Sequence, residues 1–197
     1  MLPKTLLDHA GVRLEPAALS EAVLVLIDMQ REYSDGQLAL PGVGSAVEEA
    51  AALLARARRL GTPVIHVLNE RKGGLFDVDG PYVAPIAAVT PAAGEVVVKK
   101  GLPNAFAGTD LVGRIATTGR RKLVTVGFMT HMCVDATTRS AVDHGLFSTV
   151  VAAACASRDL PDPLGGVRPA AEVHRAALAA LADRFAVVVA QGDAVRD

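Results

Sequence analysis

Two residues stand where their chemical types could act together. Cys133 follows an apolar, β-branched run over residues 123–126 that Gly127 ends, and T-H-M-C-V-D-A-T-T-R from Thr130 reads as a helix start with Thr130 as its cap. A thiol in the first turn of a helix faces unpaired backbone N–H groups and the positive end of the helix dipole. Both favour thiolate over thiol, so the placement lowers a cysteine pKa and makes a nucleophile. A small buried core residue is the plainer reading of the same segment. Asp28 is the second residue. It closes the run A-V-L-V-L-I over residues 22–27, which reads as a parallel strand covered on both faces. A carboxylate that accepts the thiol proton would let the sulfur attack a carbonyl carbon.

The elements that must position these groups alternate along the chain. After the strand at 22–27 comes a loop, then a helix at 43–60 with apolar residues at helical spacing, and a strand at 63–68. A long connection, 69–94, is rich in Gly and Pro and reads as a lid or interface. A strand at 95–99, a helix from Thr109 or Asp110 to about 118, and the strand at 123–126 follow. The helix that starts at Thr130 ends near His144 and Gly145. Then come a strand at 147–152, a loop at 157–167, a helix at 169–184 and a strand at 185–189. Six strands alternating with helices predict one α/β domain over 1–197, a three-layer doubly wound sandwich. Its parallel sheet is expected in the order 3-2-1-4-5-6 with helices on both faces, and residues 1–20 form an N-terminal arm. In such a sheet ligands bind where the strand order reverses, between the first and fourth strands, which brings Asp28 beside Cys133. Lys100 lies after the third strand, roughly 10 Å away at ordinary strand spacing, and would need its loop to bend back. On its own it reads as a solvated lysine. His66, inside the second strand, reads as a hydrogen-bonded core residue.

Composition narrows the partners. The chain has 197 residues, 51% hydrophobic and 21% charged, with a net charge of −1. No basic face is available for nucleic acid or an anionic membrane surface, which leaves a small-molecule substrate. Two cysteines, Cys133 and Cys155, make no disulfide framework, and with no export signal or spanning run they predict a cytoplasmic protein. The loop after the first strand, M-Q-R-E-Y-S-D-G, lacks the early glycines that admit a dinucleotide pyrophosphate. The absence of C-x-x-C argues against a thiol redox protein.

Three segments carry a family resemblance. V-L-V-L-I-D-M-Q, V-V-V-K-K-G-L-P-N-A-F-A-G-T-D-L and G-F-M-T-H-M-C-V-D-A-T, in that order, resemble the isochorismatase-like cysteine hydrolases, which include nicotinamidases and related amidases. The resemblance implies a Cys133, Asp28 and Lys100 triad that hydrolyses an amide or related C–N bond through a thioester. Aligning Phe106 with the aromatic of the lysine motif selects Lys100, and strand alternation points Lys99 away. The resemblance also implies a cis peptide at Phe128–Met129, with the N–H groups of Met129 and Cys133 as oxyanion donors. Metal-dependent nicotinamidases carry an Asp-x-His pair and a further histidine after the second strand. Residues 69–94 contain no histidine, so no metal and no other cofactor is expected. Asn104 and Ala153 stand where the family often has serine and aspartate. Tyr33 and Phe106 are read either as aromatic pocket walls or as core, and His131 either as facing the substrate or as bonded to local backbone. A homo-oligomer, dimer or tetramer, is a further implication. The competing readings are an isochorismatase-type vinyl-ether hydrolase and a catalytically inactive binding protein of the same fold.

Overall fold

The computed structural model describes residues 3–197. Six strands, β1 (Ala22–Ile27), β2 (Val64–Asn69), β3 (Val96–Lys100), β4 (Lys122–Phe128), β5 (Phe147–Ala156) and β6 (Ala186–Val189), form one parallel sheet in the expected order 3-2-1-4-5-6. Helix α1 (Leu6–His9) belongs to the N-terminal arm; α2 (Val43–Arg59), α3 (Leu111–Ala116), α4 (Asp135–Asp143) and α5 (Ala170–Arg184) cover the sheet. β1 is buried along its whole length because its two faces serve two cores. Leu24 and Leu26 pack under α2 with Ala50, Leu53 and Leu54. Val23, Val25 and Ile27 pack on the other side with Leu111 and Ile115 of α3 and Leu181 of α5. A continuous apolar run is what such double coverage requires.

Three stretches differ from the expectation. β5 runs to Ala156 rather than 152, because its pairing with β4 slips: Thr125 faces Val150 but Gly127 faces Cys155. This bulge carries the end of β5 alongside the end of β4. Its sequence, A-A-A-C-A, has no polar contrast to mark it. The loop at 157–167 holds a small antiparallel hairpin, Leu160–Pro161 against Val167–Arg168. The arm folds back on the C-terminal half, where Leu6 N–H donates to the Asp183 carboxylate at 2.8 Å and Ala17 N–H to Thr149 Oγ1 at 2.9 Å.

The long connection after β2 is strapped down. Gln30 donates through Nε2 to the carbonyls of Asn69 (2.9 Å) and Val83 (2.7 Å) and accepts the Asn69 N–H at 2.8 Å. Backbone N–H groups of Arg31 and Glu32 donate to Ala84 and Tyr82, and the Ile86 N–H donates to Met29. The buried Glu32 carboxylate accepts the N–H groups of Gln37 and Phe76. Every polar group of this clamp lies in a segment that reads as loop, so it is visible only in three dimensions.

His66 is a structural residue, as its place in β2 suggests. It is buried, and its Nε2 lies 2.8 Å from Glu95 Oε2, whose carboxylate also takes two bonds from Arg58 at 2.8 and 2.9 Å. The Arg58 guanidinium first, then the Ala92 N–H and His66, hold the Glu95 pKa down at about 2 against burial. A carboxylate with a depressed folded-state pKa contributes stability above its unfolded pKa and loses it as pH falls toward the folded value. Glu95→Gln is therefore expected to cost on the order of 2 kcal/mol at neutral pH, allowing for screening at the exposed Arg58 end. The gap from wild type should close as pH falls from about 4.5 to about 2, read from urea midpoints across that range.

Candidate active site

β1, β3 and β4 deliver one charged or reactive side chain each to the carboxyl edge of the sheet. Asp28 follows β1 with φ at 50°, its N–H still held by the Val67 carbonyl at 2.8 Å, and it is fully buried. Lys100 is the last residue of β3, not the first of the loop. No loop has to bend back: the extended lysine side chain itself crosses β2. Its Nζ lies 2.6 Å from Asp28 Oδ2 and donates to Cys133 Sγ at 3.3 Å, with the side chain wholly buried. The solvated-lysine reading of Lys100 is thus overturned, and Lys99 points away as alternation predicts, 66% exposed and paired with Glu70 at 3.0 Å.

The thiol's turn is built differently from the expected helix start. The Phe128–Met129 peptide is cis. Residues Thr130–Val134 then form a π-helical turn, and α4 begins only at Asp135. Thr130 does not cap it. Its hydroxyl donates to the Ala156 carbonyl at 3.0 Å and lies 2.8 Å from His174 Nδ1, so the imidazole is the donor in that second bond. These contacts fasten the turn to β5 and α5. Upstream, Gly127 has φ of 126°, and a Cβ there would sit 2.0 Å from the Ile27 carbonyl oxygen. Only glycine lets β4 approach β1 this closely just before the reactive turn.

Burial governs the protonation of the site. It raises the Asp28 pKa above the usual carboxylate range, with the Lys100 charge pulling the other way. The Cys133 thiol is pushed up to about 12, by burial first and by the Asp28 charge second, with Lys100 opposing. The expectation of a depressed cysteine pKa fails because the turn is 3% exposed at Cys133 and the desolvation it imposes outweighs the helix end. The thiol rests neutral, with the Asp28 carboxyl and the Lys100 side chain beside it. Asp28, basic enough to accept a proton and close to the sulfur, can take it when the thiol attacks.

The remaining expected residues divide. Tyr33 is buried core: its ring packs edge-on against Phe76 at 5.2 Å and Phe128 at 5.7 Å, and burial raises its pKa. Phe106, half-buried, packs against the His144 ring at 4.7 Å, beside the C-terminal end of α4. His131 does not bond local backbone: its Nδ1 lies 3.1 Å from Ser157 Oγ, a side chain 26 residues on, and its buried Nε2 has no partner among the described residues. Burial and the Arg158 charge keep its pKa low. Asn104 Oδ1 accepts the Phe106 N–H at 2.9 Å. The Met129 N–H has no backbone acceptor among the described residues. Two further polar residues escaped the sequence reading. Arg158 follows β5 with a buried, unpartnered Nε, and its charge reaches Tyr33 as well as His131. Asn69 ends β2 with a buried, unpartnered Oδ1. Each is a polar residue at the carboxyl end of an apolar strand, a signal that sequence could have supplied. Among the described residues no three His, Cys, Asp or Glu side chains gather as metal ligands.

A doubly wound parallel sheet whose switch point holds a thiol, a carboxylate and an ammonium in contact defines an α/β enzyme of the cysteine hydrolase class. The isochorismatase domain model matches residues 22–193, and the chain belongs to the isochorismatase family. It is 39% identical over 169 residues to an uncharacterised isochorismatase family protein of Bacillus subtilis, covering 84% of this chain and 93% of that one. It is 34% identical over 192 residues to a maleamate amidohydrolase of Pseudomonas putida, covering 88% and 84%. The crystal structure of an isochorismatase from Pseudomonas putida superposes with a TM-score of 0.95 at 41% identity, covering 98% of this chain and 100% of the other. No helix among the described residues is long and apolar enough to cross a membrane.

Proposed function

We propose that the protein is an amidase that hydrolyses the C–N bond of a small carboxylate-bearing amide through Cys133, Asp28 and Lys100, without a metal. The observation that carries this is the lysine ammonium in contact with both the Asp28 carboxylate and the Cys133 sulfur. A buried thiol, carboxylate and ammonium are costly to hold together, and vinyl-ether hydrolysis needs no thiol nucleophile. An inactive binding protein would have no use for that cost.

The steps balance within the triad. Asp28 takes the Cys133 proton as Sγ attacks the amide carbon, and the oxyanion accepts hydrogen bonds from the N–H groups of Met129 and Cys133. Asp28 gives its proton to the nitrogen, the C–N bond breaks, and amine leaves a thioester on Cys133. Water then adds to the thioester carbon, losing its proton to Asp28, and the returning proton restores the thiol as the acid departs. Lys100 stays charged throughout and keeps Asp28 anionic until the proton arrives. Arg158 supplies the substrate preference: a buried guanidinium nitrogen with no partner favours an anionic group on the substrate. The amidohydrolase activity of the maleamate relative acts on such a molecule.

The test is a panel of small primary amides with and without a carboxylate, maleamate among them, read by ammonia release and by intact mass of the protein. Carboxylate-bearing amides should turn over at least about tenfold faster than neutral ones of similar size, consistent with a charge-assisted anchor. Turnover should leave an acyl adduct on Cys133, and Cys133→Ala should abolish both signals. Ammonia release that survives Cys133→Ala, or a panel with no substrate in it, would sink the proposal.

A further inference from the structure

Asn69 is held by its backbone and left free at its side chain. Its N–H and carbonyl are both taken by Gln30, at 2.8 and 2.9 Å. The side chain is buried, the residue being 6% exposed, yet Oδ1 has no donor among the described residues. A buried amide oxygen without a donor is rare in a folded protein and marks a place where a ligand group belongs.

Its position says which group. Alternation along β2 sets Asn69 on the face of Ile65 and Val67, which is the face that Cys133 occupies. Asn69 is in register with Lys100, whose side chain crosses β2 on its way to Asp28. The Lys100 ammonium makes its contacts to Asp28 and Cys133, so the Asn69 oxygen is left for something else in the same corner. That corner is where Asp28 must deliver a proton to the leaving nitrogen.

We propose that Asn69 is a specificity-determining residue whose Oδ1 accepts an N–H of the scissile amide nitrogen. This deepens the amidase reading above and rests on it. With one N–H directed to Asn69, the nitrogen lone pair that develops in the tetrahedral intermediate is left for the Asp28 proton, and the C–N bond then breaks. An ester of the same acid offers an oxygen with lone pairs only, which the Asn69 oxygen repels. Asn69 therefore discriminates an amide from its ester, a difference that a site built to accept an N–H can make large.

The experiment compares wild type, Asn69→Ala and Cys133→Ala on the primary amide that turns over fastest in the panel and on the methyl ester of the same acid. Both Gln30 bonds to residue 69 are to its main chain, so Asn69→Ala keeps them, and thermal unfolding checks that the fold is intact. The expected result is a loss of about 10- to 100-fold in kcat/KM on the amide, with the ester rate unchanged or raised. Equal losses on amide and ester, or an unchanged amide rate, would overturn the assignment while leaving the amidase reading in place. A wild-type protein inactive on both, with no acyl-Cys133 formed, would remove the amidase reading and the Asn69 assignment together.

Discussion

Lys100→Met should reduce kcat/KM by about a thousandfold at pH 7, within the range ascribed to a general base. It should also move the acid limb of the pH–rate profile to higher pH. The Lys100 charge lowers the pKa of both Asp28 and Cys133. Without it both rise, so a larger share of Asp28 is protonated at a given pH and fewer molecules can accept the thiol proton. Alkylation of Cys133 by iodoacetamide should slow in the same variant, with Cys155→Ser as background. The fold feels the loss as well. Removing one partner of a buried ion pair costs about 3–5 kcal/mol when the other stays charged. Asp28 escapes that cost by binding a proton. A carboxyl whose folded-state pKa is raised keeps its stability below the unfolded pKa and loses it as pH rises through the folded one. The variant should therefore unfold more easily at pH 8 than at pH 5. A merely structural lysine would lower activity evenly across pH and leave the profile where it was.

Gly127→Ala should largely prevent the chain from reaching its native state. The added Cβ would lie 2.0, 2.7 and 2.8 Å from the O, N and C atoms of Ile27, all backbone, at the last pair of the β1–β4 register. No side chain can rotate to relieve the clash, and the φ of 126° excludes an L residue even without it. The strands would have to part at the point where one delivers Asp28 and the other leads to Cys133. A cost above about 4 kcal/mol is expected, in the range reserved for core defects. Soluble yield and urea unfolding report it. Gly113→Ala is the control: in α3, with nothing within 4 Å of its added Cβ, it should stabilise by about 0.5 kcal/mol. A Gly127→Ala protein with wild-type unfolding would show that the two strands tolerate separation.

The fold was legible because its signals are local. The run at 22–27, the helical spacing at 43–60 and the alternation of strands with helices are each read within one segment and give the fold class, and the sheet order found is the commonest one for six such strands. The pairing of Asp28 with Cys133 followed from that order. Lys100 was legible as a catalytic candidate only through its motif, since nothing local says that a lysine on the second strand away will reach across. The Thr130 contacts, the end of β5 and the clamp around Gln30 depend on partners 26 to 53 residues distant. The direction of the Cys133 pKa was misjudged for a related reason: a helix end can be read from neighbours in sequence, whereas desolvation depends on everything packed around the sulfur.

The Gln30 and Glu32 clamp bears on how this enzyme could be redesigned. It grips residue 69 at the start of the long connection and residues 76 and 82–86 further along, so both roots of the intervening segment are fixed. Residues 72–75 and 77–80 between these grips carry mostly exposed side chains. The segment behaves as a cassette on a rigid socket. Its tip can be lengthened, shortened or randomised while Asp28 and Lys100 stay where they are, because the grips that fix its roots lie outside the tip.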